Sequence, residues 1–260
     1  MIGIQMYTLR DFMNSKENLR NTLRKVSEIG YRSVQISIPG FMNASELKNE
    51  LDNYSLKADS VFAPLESIHD NLDNLLQNAK VLDTDTIRTD GIPERLTGSE
   101  EGFRIYAERL QNAGKLLSKY GLRFMYHNHA LEYSNFENGT GMDILLKETD
   151  PQYVMFQPDV HHIAAAGLEV SHALYDFAGR CEYIHMQGYA IIAGEDVDKA
   201  VPRRTVPVGT GNLNWSGIVK TALDIGVKLF VVEQDNCIGN PFDEVALSYR
   251  NLNKLLEGKE

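Results

Sequence analysis

The stretch Ser99–Asn128, "SEEGFRIYAERLQNAGKLLSKYGLRFMYHN", reads as a helix that runs straight into a strand. Ser99 can cap the helix, Glu100 and Glu101 favour its positive N-terminal end, and Phe103, Tyr106, Leu110, Ala113, Leu117 and Tyr120 fall on one apolar stripe. Gly121 then supplies the left-handed stop, and the run that follows has the apolar character of a buried strand.

The junction recurs elsewhere. Gly30-Tyr31-Arg32 and Gly226-Val227-Lys228 repeat it, and Ser55-Leu56-Lys57 is a looser copy. Each sets an apolar residue and a cation before a strand, so the cations are expected at the rim where strands begin. Working outward, strand-like runs alternate with amphipathic helical segments along the whole chain: "GIQMYT", "RSVQIS", "KADSVFA", "DTIRT", "RFMYHN", "YVMFQP", "EYIHMQ" and "KLFVVEQ". Asn240-Pro241 opens the last helix, with Phe242, Val245, Tyr249, Leu252 and Leu255 on its buried face. Strands alternating with helices require right-handed parallel crossovers. Eight units in 260 residues fit a closed (β/α)8 TIM barrel of the α/β class, one domain over residues 1–260. An open doubly wound sheet is the poorer fit, because no glycine-rich phosphate loop follows the first strand.

Composition narrows the function classes. With 26 Lys plus Arg against 36 Asp plus Glu, the formal charge is −10, which argues against nucleic acid or an anionic membrane as partner. Cys181 and Cys237 have no metal or redox spacing and suit free thiols in a reducing compartment. No secretory leader and no apolar run of membrane-spanning length is visible, so the cytoplasm is the expected location.

The ends of the last four strands carry the chemistry. Strand five ends in His127, Asn128 and His129, with Glu132 in the loop beyond; strand six runs into Asp159, His161 and His162; strand seven carries His185; strand eight carries Glu233 and Asp235. Five of the seven histidines fall at these ends, while His69 and His172 read as surface or packing residues on helices. Any one of these histidines alone would read as a hydrogen-bonded loop residue. Four successive strands with imidazole or carboxylate at the same rim instead form a convergent N and O set for one divalent ion: Mn, Co, Zn or, less readily, Mg.

"IGIQMYTLRD", "EIGYRSVQI", "YHNHALEY", the Asp159 motif, "IHM" and "VGTGNLNWSGIVKTALDIGVKLFVVEQD" together resemble the sugar phosphate isomerase/epimerase family of xylose-isomerase-like barrels. The resemblance implies a metal held by Asp159, His185 and Glu233, with a fourth ligand from the strand-five motif. Many relatives have a glutamate where this chain has His127; Glu132, the nearby carboxylate, is the preferred reading, because a further carboxylate suits a hard or borderline ion. Two departures stand out. Relatives commonly read His-x-Lys-Asp after strand seven, where this chain has His185-Met186-Gln187-Gly188, and Val34-Gln35 stands where Val-Glu is frequent. Arg204, with Arg203, is the candidate to restore the missing cation.

The expected reaction is isomerisation or epimerisation of a ketose or keto-sugar through an enediolate, with Glu132 and Glu233 as the acid and base. His127, His129, His162, Arg204 and Tyr7 are expected to orient the sugar, and Trp215 reads first as a packing residue. The same intermediate allows elimination, hence a keto-sugar lyase or dehydratase; a silent sugar-binding barrel and an abasic-site nuclease are the rivals from other classes. Barrels of this sort often pair through their outer helices, which makes a homodimer an expectation.

Overall fold

The computed structural model describes residues 1–192 and 203–258. Eight parallel strands line up with the sequence runs: β1 (Ile2–Gln5), β2 (Ser33–Gln35), β3 (Lys57–Phe62), β4 (Thr86–Asp90), β5 (Arg123–His127), β6 (Met155–Gln157), β7 (Tyr183–Met186) and β8 (Leu229–Val232). They pair in the order β6-β5-β4-β3-β2-β1-β8-β7. The two ends of that order meet through a single parallel bridge between Asp159 and His185, supported by His185 N donating to Pro158 O at 2.9 Å and Phe156 N to Arg180 O at 2.7 Å. The result is a nearly closed barrel whose seam lies between β6 and β7.

Helices cover the outside, and their caps follow the sequence. Ser99 accepts from Gly102 N at the start of α4 (Glu100–Ser118), and Asn240 accepts from Phe242 N before α9 (Pro241–Glu257). The α4 stripe is buried from Phe103 to Leu117, but Tyr120 is exposed, because the helix ends at Ser118 and the chain has already turned. A chain of edge-to-face and tilted rings, Tyr106–Tyr126–Phe156–Phe177, ties α4 to β5, β6 and the segment before β7. Gly30 (φ +124°) and its looser counterpart Ser55 (φ +54°) both turn left-handed. The cations that follow these junctions ring the opening where strands begin; Arg123 lies 2.6 Å from Glu182 and Lys228 lies 2.5 Å from it. His69 sits in an exposed turn rather than on a helix. Among the described residues no helix is long and apolar enough to cross a membrane.

Candidate metal centre

The strand ends converge where strand order predicts. His127 closes β5; Asp159 caps a short helix, α6 (Val160–Ala165), directly after β6; His185 is the third residue of β7; Glu233 follows β8. All four are buried, and one ligand atom from each lies within 4.8 Å of the others.

The donor set fits a cation. His185 Nε2 lies 2.7 Å from Gln35 Oε1. That amide is oriented by its neighbours, since Gln5 Nε2 donates to Gln35 Oε1 at 3.4 Å and Gln35 Nε2 donates to Gln157 Oε1 at 3.3 Å. In the tautomer whose proton lies on Nε2, Gln35 Oε1 accepts it. In that tautomer Nδ1 presents a lone pair 2.6 Å from Glu233 Oε2 and 3.9 Å from Asp159 Oδ2. Three lone-pair donors facing one another in a buried site repel unless a cation lies between them. His127 is prepared the same way: Nδ1 is 3.2 Å from Gln157 O, leaving Nε2 to the cluster.

Electrostatics agree. Burial, then Glu233, pushes the Asp159 carboxyl well above its ordinary range, although the His161 and His162 amides donate to its Oδ1 at 2.6 and 3.1 Å. Burial works on Glu233 in the same direction, but His185 and Arg88 outweigh it and hold this carboxyl below its ordinary range. Burial, with His185 and His129 beside it, keeps His127 neutral far below the usual histidine range, and burial with His129 and His161 brings His162 down to about 3.

Glu132 stands apart from the four. It is fully buried in the turn after β5, where its carboxylate accepts from the Tyr126 hydroxyl, from His129 N at 3.0 Å and from Ile92 N at 3.4 Å. These bonds hold the loop that carries His129. Tyr7 and His129 line a cavity of about 600 Å³ over the cluster, together with Glu233, Asp235 and His127. His162 packs against His129, with ring centroids 4.7 Å apart. Arg204 lies on a two-stranded hairpin after β7, paired with Ala190, and is not among the described residues of the cavity wall; the side chain of Arg203 lies outside the described residues. Trp215 is buried at the start of the helix Trp215–Asp224, its Nε1 donating to Thr210 O at 2.8 Å.

The positive charge missing after β7 comes from elsewhere. Arg10 and Arg88 both line the cavity. Arg10 stacks over Tyr7 at 4.2 Å and donates to Asp235 O at 2.9 Å; Arg88, buried on β4, pairs with Asp90 and leaves its Nε unpartnered. Sequence reading passed over both, and over Gln157, and noted Gln35 only as a departure from the glutamate frequent there; the signal for Arg88 was a charged residue inside the otherwise strand-like "DTIRT".

A parallel eight-stranded barrel with a buried N and O ligand set at the mouth where strands end defines a class of barrel proteins. Residues 23–254 match the model of the xylose isomerase-like TIM barrel family, and the chain belongs to it. An inosose dehydratase of Geobacillus thermodenitrificans (strain NG80-2) is 27% identical over 163 residues, 58% of this chain and 54% of that protein. The chain spans about half the length of the curated relatives it matches. A sugar phosphate isomerase/epimerase from Parabacteroides distasonis ATCC 8503 has the same fold, with a TM-score of 0.79 at 20% identity over 96% of this chain and 92% of that one. So does a xylose isomerase-like TIM barrel protein from Mycobacterium smegmatis in complex with magnesium, with a TM-score of 0.71 at 15% identity over 98% and 95%.

Proposed function

We propose that this chain is a divalent-metal-dependent enzyme that withdraws the proton beside the carbonyl of a keto-sugar or cyclic polyol ketone. The observation that carries the reading is the meeting of His127, Asp159, His185 and Glu233, one ligand atom of each within 4.8 Å of the others in a buried site. These four would hold the ion, and the two-imidazole, two-carboxylate set accepts Mn, Co, Zn or Mg. When bound, the cation polarises the carbonyl and a neighbouring hydroxyl and so acidifies the adjacent C–H.

The chain's own groups divide the remaining work. Glu233, on the cavity wall and held ionised, is the group to take the proton. Asp235, two residues on along the same wall, is pushed upward by burial and by Glu233, which suits it to the acid role. Arg10 and Arg88 offer positive contacts to the substrate's oxygens, and Tyr7 an aromatic face to its C–H groups.

Elimination of a β-hydroxyl is the preferred outcome. A proton taken by Glu233 and one given by Asp235 suffice for it, and the dehydratase relative points the same way. Isomerisation or epimerisation is the second reading: His129 gives the wall another proton-handling group, although Glu132, expected in that role, is engaged in its loop. The free thiols Cys181 and Cys237 support a reducing, cytoplasmic setting.

The test is incubation of the metal-loaded protein with keto-sugars and inososes in D2O, followed by NMR and ultraviolet absorbance. Deuterium at the carbon beside the carbonyl is expected, with an unsaturated ketone product for elimination or an epimer for the second reading. No exchange into any of these ketones overturns the proposal, and full turnover by Glu233→Gln removes that residue from its role.

A further inference from the structure

Beside the ligand set is a second group of nitrogens. His127, His129 and His162 each bring a ring nitrogen within 4.8 Å of the other two, with no carboxylate among them. Their ring centroids lie 4.9 Å apart for His127–His129, 4.7 Å for His129–His162 and 6.3 Å for His127–His162. Neighbouring His161 behaves differently, for its Nδ1 is tied to Gly188 O at 3.0 Å. Among the described residues the His162 ring has no hydrogen bond, while its backbone N donates to Asp159 Oδ1 and its carbonyl accepts from Ala166 N, both at 3.1 Å. The His129 ring fits because residue 91 is glycine, at φ +59°, where an added Cβ would come within 3.0 Å of Nδ1.

The geometry points to a second metal site, made of His127, His129 and His162, that takes a borderline cation such as zinc. Three imidazoles without a carboxylate suit Zn, Co, Ni or Cu and serve Mg poorly. The inference rests partly on the inner site, because His127 has one nitrogen to give: its Nδ1 faces Gln157 O. With both sites filled, His127 would serve the outer cation, and Asp159, His185 and Glu233 would hold the inner one, which would then supply Lewis-acid chemistry. An outer cation would stand beside the same cavity, where His127 and His129 form part of the wall, and could hold a second substrate oxygen.

The experiment is calorimetric titration of chelator-stripped protein with zinc, and separately with magnesium, with bound metal counted by elemental mass spectrometry after gel filtration. Wild type is expected to take two zinc ions but one magnesium. His129→Ala/His162→Ala, altering two half-buried side chains, should fold normally and take one of each. Asp159→Asn/Glu233→Gln should keep one zinc and no magnesium. A single zinc in wild type, retained with unchanged affinity by His129→Ala/His162→Ala, overturns the outer site and leaves the inner one standing. Two zinc ions of which Asp159→Asn/Glu233→Gln loses neither would instead overturn the inner site. Cobalt gives an independent reading: the second equivalent should produce its own visible band, absent from His129→Ala/His162→Ala, and an identical two-equivalent spectrum in that variant counts against the outer site.

Discussion

Gln35 on β2 holds His185 on β7 by the Nε2 edge of its ring, 2.7 Å from Oε1, across the interior of the barrel. With Nε2 engaged there, Nδ1 faces Glu233 Oε2 at 2.6 Å. Orienting partners of this kind typically account for about 10- to 100-fold in metal affinity. Gln35→Leu should therefore weaken metal binding by roughly that factor with the stoichiometry of the inner site unchanged, as read by competition with a chromophoric chelator. Equal affinity in the variant would show that His185 needs no such hold.

His127 and Glu132 should separate cleanly. Glu132→Leu leaves the Tyr126 hydroxyl and two loop amides without their acceptor, which should cost about 1 to 3 kcal/mol of stability in urea denaturation. Its metal stoichiometry should stay that of wild type. His127→Ala should instead lose metal affinity at least about tenfold. If Glu132→Leu lost its metal while His127→Ala kept it, the assignment of the two would be reversed.

Asp59, on β3 and outside the ligand set, gives a pH test. Burial raises its carboxyl to about 6, against the opposing hydrogen bonds of Ser60 and Ser33. The folded state thus prefers the protonated form: the contribution is fully present below about pH 4 and lost as pH rises through 6. Ionised Asp59 then costs roughly 2 to 3 kcal/mol at pH 8, at about 1.4 kcal/mol per pKa unit. Asp59→Asn should melt several degrees above wild type at pH 8 and show little gain at pH 4, both measured in chelator; a gain independent of pH would contradict the burial argument.

Gly30 should resist substitution. Its φ is +124°, and a Cβ there would come 2.7 Å from the Tyr249 ring, which itself packs on Tyr31 with centroids 4.9 Å apart. Gly30→Ala should lower stability by more than about 1 kcal/mol, whereas Gly121→Ala, with open space around its Cβ and φ +75°, should cost less. Equal losses at the two would assign the whole effect to backbone conformation.

The strands and the ligand-bearing ends were readable because each βα unit repeats one physical pattern: an apolar run, then polar residues where the strand meets the mouth. The polar residues inside the barrel were not readable. Gln5, Gln35, Gln157 and Arg88 sit within strands as short as three residues, where alternation cannot tell an inward side chain from an outward one. Arg10 reaches the cavity from a tight helical turn after β1, and the Glu132 carboxylate is folded back by a similar turn after β5. Such turns move side chains by amounts that strand order does not reveal. Tyr120 was misplaced for a simpler reason: the apolar spacing continued beyond the point where α4 stops.

Two of the proposed ligands are also the residues that close the barrel. Among the described residues Asp159 and His185 form the one bridge pair at the seam between β6 and β7, helped by the Phe156 N to Arg180 O hydrogen bond. A cation on them would act as a clasp across the circle's weakest join, tying reactivity to mechanical integrity. Backbone amides along β6 and β7 should then exchange with solvent fastest in the stripped protein and slow first when metal returns, so that the barrel tightens at the place where it works.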